Sequence, residues 1–265
     1  MSVARNLRRA LVDGDRQILG TFVIVPRVEV VEAAAAGGFD LVVLDCEHGP
    51  FGVEALPPLI AAAHGAGIAA VVRVARNDEP NIGAALDAGA DGVLVPHVSS
   101  RQEAEDVVRA SRFQPHGERS VHLWVRASGY GLEESYVTTA DDRTAVIAMI
   151  EGIEARERLP EILPTAGIDA FFVGPMDLAA SLGLAHTPYA PEVIEAARDI
   201  VQRSAEAGKA TAIFAPTPEH AALWLSAGVK LVVLSVDTQL IRTSFTAAVA
   251  AATCPAPDPN PVATP

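Results

Sequence analysis

The sequence predicts an α/β protein of the (β/α)8 TIM-barrel class, and three observations support this. Eight short apolar runs alternate with helix-like stretches along the 265-residue chain, as in the repeating unit of that barrel. The runs are apolar almost without a break, which is typical of parallel strands buried on both faces. Phrases typical of helix-ending caps precede several runs, at Gly37-Gly38, Gly89, Gly167 and Gly228. The rival fold, a doubly wound open sheet, is weakened because no Gly-x-Gly-x-x-Gly follows the first run.

The predicted elements follow in chain order, each strand being a short aliphatic run and each helix a longer stretch that mixes apolar and charged residues. The predicted strands are 18–25, 41–45, 69–74, 92–96, 145–150, 170–173, 210–215 and 230–236. The predicted helices are 28–36, 53–64, 81–88, 100–111, 155–163, 192–207, 218–227 and 239–252. Residues 112–142 do not fit this repeat, and a segment of that length on the catalytic side of a barrel predicts a lid or a subunit contact.

We expect one domain, residues 1–254, followed by a proline-rich tail, residues 255–265, that is disordered. The net charge of −13 argues against a nucleic-acid partner, whose phosphates require a basic surface. The two cysteines, Cys46 and Cys254, form neither a disulfide framework nor a zinc spacing. There is no signal-peptide core and no unbroken apolar stretch of membrane-spanning length, so we expect a cytoplasmic protein without membrane contact.

Two acidic residues, Glu151 and Asp177, follow the fifth and sixth predicted strands. Parallel strands point the same way, so both side chains would leave the sheet at the rim where barrel enzymes have their active sites. Carboxylates from neighbouring strand ends can share a divalent cation, which predicts a metal site. The pattern alone fits equally well an ordinary helix cap at Glu151 and a polar loop or cap at Asp177.

An ionisable cluster ends the second predicted strand, in Asp45-Cys46-Glu47-His48-Gly49-Pro50. His48 is the best candidate for a general acid or base, because an imidazole titrates near neutral pH. Asp45 is placed to orient His48, and Glu47 is either functional or a structural partner. The alternative for the whole cluster is a turn whose acids cap the next helix.

For three other ionisable residues the sequence leaves two roles open. Arg73 lies within an apolar strand and needs a buried anionic partner, so it is either a structural ion pair or a clamp for a carboxylate or enolate. His97 either faces the site or caps a helix, and Asp87 is either functional or solvated, as most helix acids are. The only lysines, Lys209 and Lys230, precede strands at the opposite face. No Schiff-base lysine is expected, so carbon–carbon chemistry on a keto acid would need a metal as electron sink.

A set of motifs, in a fixed order, extends from about Gln17 to Ala250. The motifs are Asp45-Cys46-Glu47-His48-Gly49-Pro50, Val72-Arg73, Leu94-Val95-Pro96, Ile150-Glu151 with Glu154-Ala155, and Val173-Gly174-Pro175-Met176-Asp177-Leu178. In these motifs the chain resembles the HpcH/HpaI aldolases, a family of metal-dependent pyruvate aldolases. The resemblance implies a (β/α)8 barrel of the phosphoenolpyruvate/pyruvate superfamily. It also implies a homotrimer or homohexamer, since members form trimers or hexamers that often exchange the last helix.

The resemblance assigns roles to the candidate residues. It implies that Glu151 and Asp177 are the ligands of Mg²⁺ or Mn²⁺, with Co²⁺ as a further option. His48 resembles the general base, Arg73 the residue that holds the pyruvyl oxygen, and Asp45 the acid paired with the base. Asp87 resembles an acid that reaches the site from a neighbouring subunit. The substrate contacts would come from Arg73 and from Met149, Gly174, Pro175, Met176 and Asp177.

The chain departs from the family pattern at two places. Where the family usually has Gln two residues before the metal-binding Glu, this chain has Met149, which removes a polar contact to the pyruvyl group. The usual Gly-x-Arg-Gly loop reads Gly117-Glu118-Arg119-Ser120, followed by Val121-His122. We expect Ser120 and His122 to alter the floor or the lid of the pocket.

The activity implied by the resemblance is reversible cleavage of a 4-hydroxy-2-oxo acid to pyruvate, or a close 2-oxo acid, and an aldehyde. The small-molecule partners would therefore be a 2-oxo acid and an aldehyde. Two alternatives within the superfamily are an oxaloacetate decarboxylase and a hydroxyacyl-CoA lyase. A third alternative is a non-catalytic barrel that binds a metal and a 2-oxo acid, which Met149 favours.

Overall fold

The computed structural model describes residue 4 and residues 6–253, and in it eight parallel strands close into a barrel in chain order. The strands are β1 (Ile18–Val23), β2 (Leu41–Asp45), β3 (Ala69–Arg73), β4 (Gly92–Val95), β5 (Ala145–Ile150), β6 (Ala170–Val173), β7 (Ala210–Ala215) and β8 (Leu231–Val236). The predicted (β/α)8 fold class is confirmed. The predicted tail, residues 255–265, and Cys254 lie outside the described residues.

The helices are α1 (Leu7–Val12), α2 (Val28–Ala36), α3 (Leu56–Gly65), α4 (Glu79–Asp87), α5 (Arg101–Ser111), α6 (Tyr136–Arg143), α7 (Ile153–Glu157), α8 (Leu159–Ile162), α9 (Pro175–Ser181), α10 (Pro191–Glu206), α11 (Pro218–Ser226) and α12 (Asp237–Thr253). The helix predicted at 155–163 is two helices, α7 and α8, because Pro160 has no N–H to continue a helix but suits the start of one. The unpredicted helices α1, α6 and α9 have too few turns to show a helical period. None of the helices within residues 6–253 is long and apolar enough to span a lipid bilayer.

The backbone confirms the glycine caps predicted after α2, α4 and α11. Gly38, Gly89, Gly167 and Gly228 have φ angles of 94°, 91°, 92° and 83°. This left-handed conformation is strained for residues with a Cβ and open to glycine. Gly38, Gly89 and Gly228 directly follow the C-caps of α2, α4 and α11 and turn the chain toward the next strand. The helix cap predicted at Gly167 is wrong, because α8 ends at Ile162 and Gly167 lies in a later turn before β6.

The strands bury side chains on both faces, which explains why their sequences do not alternate. Val43 points into the barrel interior, whereas its neighbour Val42 packs in the layer between barrel and helices. Helix α1 closes the N-terminal end of the barrel, since Leu7 and Leu11 belong to the interior core. The interior is therefore a filled core that leaves room for a ligand at the opposite end, the barrel mouth.

The segment 112–142 lies at the N-terminal side of the barrel. Arg112 donates a hydrogen bond of 2.9 Å to the carbonyl of Thr144, directly before β5. Arg119 donates one of 2.6 Å to Asp87, the last residue of α4. The expected lid over the catalytic side is therefore wrong, because a segment that joins a helix to the next strand lies at the end opposite the mouth. The other expectation, a subunit contact, stays a prediction.

Candidate active site

The C-terminal strand ends bring most of the predicted site residues around one cavity of about 260 Å³ at the barrel mouth. Glu151 lies next to it, since a Cβ added to Gly174 would be 2.9 Å from Glu151 Oε2. Ser120 and His122 do not line this cavity, so the expectation that they alter its floor or lid is wrong for this chain. The predicted residues in its lining are Asp45, His48, Arg73, Met149, Gly174, Pro175, Met176 and Asp177.

Arg73 is held in place by two carboxylates at the rim. The pairing of β2 with β3 sets Asp45 beside Arg73, whose Nε and Nη2 donate to the two carboxylate oxygens at 2.9 and 2.6 Å. Its Nη1 lies 3.1 Å from Glu47 Oε2, and the guanidinium stacks over Phe22, 4.6 Å from the ring centroid. Burial opposes the charge, but the hydrogen bond to Asp45 and the charges of Asp45, Glu47 and Glu151 raise the pKa of Arg73. Arg73 is thus both a structural ion pair and a fixed cation in the cavity wall.

His97 connects Glu47 with Glu151. Its Nε2 lies 3.1 Å from Glu47 Oε1, and its Nδ1 lies 3.0 Å from Glu151 Oε1. Its backbone N–H donates to the same Glu151 oxygen at 2.6 Å. The φ angle of His97 is 57°, a left-handed conformation that is uncommon outside glycine. His97 therefore faces the site and does not cap a helix, since Ser100 caps α5.

Glu151 is a buried carboxylate, with 5% of its surface exposed. Burial is the largest cause that raises the pKa of Glu151, and the nearby charges of Asp177 and Glu47 raise it as well. The hydrogen bond from His97 and the His97 charge act in the opposite direction and lower this pKa. Both contacts with His97 use Oε1, and no hydrogen bond within residues 6–253 uses Oε2. A Cβ on Gly174 would lie 2.8 Å from the Cβ of Glu151, so a larger residue at that position would displace the carboxylate.

Asp177 lies in the first turn of α9, close enough to Glu151 to influence its pKa. The N-cap of α9 is Gly174 and the N-cap of α7 is Gly152, and neither is capped by a side chain. The capping alternatives for Glu151 and Asp177 are therefore wrong. Both carboxylates face the same rim, as the parallel strands predicted.

His48 stands at the edge of the cavity, with 67% of its side chain exposed. Its backbone N–H and that of Glu47 donate to Asp45 Oδ1 at 3.2 and 3.0 Å, whereas its ring Nε2 lies 4.0 Å from Glu47 Oε2. Among the described residues, no hydrogen bond joins the Asp45 carboxylate to the His48 ring. The expectation that Asp45 orients this ring is therefore corrected. Asp45 instead fixes the turn that carries His48 and the guanidinium of Arg73.

Asp87 is the predicted site residue that lies away from this cavity. It accepts a hydrogen bond of 2.6 Å from Arg119, which also donates to the Tyr136 hydroxyl at 2.7 Å. In this chain Asp87 does not reach the site, and its contribution to a neighbouring subunit stays a prediction.

The two lysines lie at the opposite end of the barrel. Lys209 donates to carbonyls that precede β6, and Lys230 directly precedes β8. Both lysines therefore lie far from the mouth, as predicted.

Sequence reasoning missed most of the apolar wall of the cavity. The Phe22 ring lies 6.2 Å from that of Phe172 and 5.9 Å from that of Phe214, centroid to centroid. Strand periodicity offered a signal, because residues two positions apart point to the same face. Met149 and Phe172 stand two positions before Glu151 and Gly174. The apolar wall consists of Phe22, Ile24, Met149, Phe172, Phe214 and Val236.

The donor set at the rim fits an oxygen-preferring divalent cation. Within the described residues, no group of three or more His, Cys, Asp or Glu side chains forms a ready-made metal site. The chain instead offers a pair, Glu151 through its free oxygen and Asp177, beside an open cavity. Mg²⁺ is commonly held by one or two carboxylates, with water and substrate oxygens as its other ligands. We call the surrounding ionisable residues the rim cluster: Asp45, Glu47, Arg73, His97, Glu151 and Asp177.

Comparisons with known proteins agree with this geometry. Residues 19–244 match the model of the HpcH/HpaI aldolase/citrate lyase family. The chain is 36% identical to a pyruvate aldolase of Rhizobium etli, over 89% of this chain and 92% of that protein. It is 35% identical to a 4-hydroxy-2-oxo-heptane-1,7-dioate aldolase of Shigella sonnei, over 89% and 90%. The crystal structure of a family protein from Burkholderia cenocepacia J2315 matches with a TM-score of 0.89 at 31% identity, over 93% of this chain and 98% of that one.

The fold and the site thus define a barrel enzyme of the carbon–carbon lyase class. The chain belongs to the HpcH/HpaI aldolase/citrate lyase family. It is an aldolase that acts on 2-oxo acids, in a family that depends on divalent metals.

Proposed function

We propose that the enzyme cleaves a 4-hydroxy-2-oxo acid reversibly to pyruvate, or a close 2-oxo acid, and an aldehyde. Glu151 and Asp177 would hold Mg²⁺ or Mn²⁺, and Co²⁺ also suits such a site. When bound, this ion supplies Lewis-acid polarisation of the 2-oxo group and offsets developing negative charge. The observation that carries the proposal is the free oxygen of buried Glu151, beside Asp177 and next to the cavity lined by Arg73 and His48.

The reaction breaks the bond between C3 and C4 of the substrate. His48 accepts the proton of the 4-hydroxyl, and the electron pair of that O–H bond becomes part of the aldehyde carbonyl. The electron pair of the C3–C4 bond stays on the three-carbon fragment as an enolate, whose negative oxygen Arg73 stabilises. The proton that His48 accepted then passes to C3, which gives the methyl group of pyruvate and returns His48 to its unprotonated form. The reverse sequence is aldol addition.

The rim cluster prepares these groups before the substrate binds. Asp45 and Glu47 fix the guanidinium of Arg73, so it does not have to reorganise as charge develops. His97 orients Glu151 through the backbone and the ring, and leaves the other carboxylate oxygen free. The exposed ring of His48 is open to the substrate hydroxyl without displacing a neighbour.

The cavity weighs against the CoA-thioester alternative. Its volume of about 260 Å³ is small, and Arg73 is the sole lysine or arginine among the described residues that line it. The phosphates of CoA would require a larger, basic groove. Oxaloacetate decarboxylation is expected as a side activity, because it passes through the same enolate.

We also propose that the enzyme forms a homotrimer or homohexamer. Helix α12 carries an exposed apolar stripe of Ile241, Phe245 and Val249. Exposed apolar patches of this kind favour contact with another protein surface. In such an assembly Asp87 would serve the site of a neighbouring subunit. The net charge of −13 supports the absence of a nucleic-acid partner.

Exchange of the pyruvate methyl protons tests the proposal without any aldehyde. In D₂O with Mg²⁺, the enzyme should remove the methyl signal of pyruvate from the ¹H NMR spectrum, and EDTA should stop the exchange. Borohydride should trap no covalent adduct, because no lysine reaches the site. Exchange that survives complete chelation would contradict the proposal, and absence of exchange with metal present would favour the non-catalytic alternative.

Replacement of the proposed base separates catalysis from metal binding. His48→Ala should lower kcat for aldol cleavage by about 10²–10⁴-fold, the usual contribution of a general base, while Mn²⁺ affinity stays unchanged. Cleavage is measured by pyruvate release and affinity by calorimetry. A variant that cleaves at the wild-type rate would reject His48 as the base.

A further inference from the structure

The barrel-mouth cavity is charged on one side and apolar on the other. The charged groups in its lining are Asp45, His48, Arg73 and Asp177. The residues of β1, β5, β6, β7 and β8, and those directly after β1, contribute the apolar wall. The two sides therefore suit different parts of one substrate.

In the proposed reaction, the charged side is fully used by the reacting atoms. The 2-oxo acid needs Asp177 with Glu151 and Arg73, and the 4-hydroxyl needs His48. Asp45 is neutralised by its two hydrogen bonds with Arg73. Among the described residues that line the cavity, no further cation remains for a second anionic group on the substrate.

The apolar wall is continuous and well packed. The rings of Phe172 and Phe214 both lie about 6 Å from that of Phe22, and Phe22 and Phe172 are buried. The Cε of Met149 would lie 3.3 Å from a Cβ on Gly174, beside the proposed metal ligands. A carboxylate placed against this wall would lose its hydration without gaining a partner, whereas a hydrocarbon would gain contact.

The size of the cavity sets a further limit. Its volume of about 260 Å³ lies just below the ordinary range for ligand pockets, roughly 300–1,000 Å³. A compact 2-oxo acid already occupies part of it. The part of the aldehyde that the cavity encloses must therefore be small.

We propose, on the basis of the proposed aldolase function, that the aldehyde partner of this enzyme is a small, uncharged, apolar aldehyde. Aldehydes that carry a carboxylate are poor partners. The guanidinium of Arg73 stacks over Phe22 of the apolar wall, but Asp45, Glu47 and the 2-oxo acid already use it. No other lysine or arginine of this chain's described residues lines the cavity. Selectivity of this kind would separate the chain from a relative named for a 1,7-dioate, whose cleavage releases an aldehyde with a terminal carboxylate.

A pair of aldehydes with the same shape tests this directly. 4-Methylpentanal ends in an isopropyl group, whereas succinic semialdehyde ends in a carboxylate at the same position. With pyruvate and Mn²⁺, kcat/KM for aldol addition should favour 4-methylpentanal by about 10²-fold, since an unpaired buried charge is strongly rejected. Equal or better use of succinic semialdehyde would overturn the proposal.

A new cation on the apolar side should change the preference. Ile24 is partly exposed and lines the cavity, so Ile24→Arg should reduce the ratio of the two kcat/KM values by about 10-fold or more. Val12→Arg is the matched control, because it adds the same charge at an exposed position of α1, outside the cavity, and should leave the ratio unchanged. A ratio that Ile24→Arg does not alter would show that the wall does not set the selectivity.

Methyl-proton exchange of pyruvate is measured on the wild type and both variants. Loss of exchange in the wild type would reject the aldolase function itself. Normal exchange together with a preference for succinic semialdehyde would reject the substrate class alone. If Ile24→Arg does not fold, the wild-type ratio of the two aldehydes still decides the proposal.

Discussion

The two ends of the barrel differ in how buried charge is compensated. At the N-terminal end, Asp169 accepts hydrogen bonds of 2.8 Å from Arg8, 2.6 Å from Arg112 and 2.8 Å from the backbone N–H of Val146. At the mouth, the rim cluster sets four carboxylates against the guanidinium of Arg73 and the ring of His97. One end satisfies its charges internally, and the other leaves negative charge beside a cavity.

This difference separates stability from function. A buried carboxylate with two arginine partners needs nothing from outside, so Asp169 acts as part of the scaffold. A buried carboxylate with a raised pKa and a free oxygen beside a cavity needs a cation, so Glu151 acts as part of the site. The following substitutions test whether the two ends respond in opposite ways.

The largest effect is expected at Glu151. Glu151→Gln keeps the shape but removes the charge that would hold the divalent ion, whose charge stabilisation is worth several kcal/mol. We expect kcat/KM for aldol cleavage to fall by about 10³-fold or more, with no loss of thermal stability. A variant within about tenfold of the wild type would place the metal elsewhere.

The opposite response is expected at Asp169. Asp169→Asn leaves buried Arg112 without its anionic partner and should lower the free energy of unfolding by about 3–5 kcal/mol. Urea denaturation measures this loss. At a temperature where the variant is folded, its kcat/KM should match the wild type. A large drop in kcat/KM without a loss of stability would break the distinction between the two ends.

A smaller effect is expected from Arg73→Lys. Lysine keeps the positive charge but cannot form the two-pronged contact with Asp45. We expect kcat to fall by about 10²-fold, as when a preorganised donor is lost, with a smaller change in KM for pyruvate. Steady-state kinetics at saturating metal measure both constants. An unchanged kcat would show that the positive charge alone is sufficient and that the fixed geometry of the guanidinium is not required.

The smallest effect is expected at Cys46, next to the rim cluster. Burial, with the charges of Asp45 and Glu54, raises the pKa of the Cys46 thiol to about 12. At pH 8 the thiolate fraction should be about a thousandfold below that of an ordinary cysteine, so iodoacetamide should leave activity intact. The test uses a Cys254→Ser variant and mass spectrometry. Rapid, complete alkylation of Cys46 would contradict a protonated thiol.

The sequence predicted those features that depend on local pattern. The strand ends that carry Asp45, Arg73, Glu151 and Asp177 follow from continuous apolar runs, and the glycine caps follow from the conformational freedom of glycine. Parallel strands then place the acids at one rim without any knowledge of distances. The barrel, and the position of Glu151 and Asp177 at one rim, were accessible from the sequence for this reason, whereas their role as metal ligands was implied by the family resemblance.

Features that depend on contacts between distant residues were not accessible in the same way. The bridge from Glu47 through His97 to Glu151 requires a left-handed backbone at His97, and no sequence motif indicates that conformation. Asp45 was expected to orient His48, but the adjacent strand offers it a stronger partner in Arg73. The segment 112–142 was expected on the catalytic side, although a connection from a helix to a strand places it at the other end.

A titration of metal-free enzyme with Mn²⁺, followed by electron paramagnetic resonance, tests the central claim that the surplus carboxylates at the rim form a cation site. The matched control is Asp199→Asn. Asp199 lies on the outer helix α10, where it forms an ion pair with Arg156 of α7, and the substitution removes its negative charge. The wild type and the control should bind one Mn²⁺ per chain, and Glu151→Gln should lose that binding. Equal Mn²⁺ affinity in Glu151→Gln and the wild type would contradict the claim.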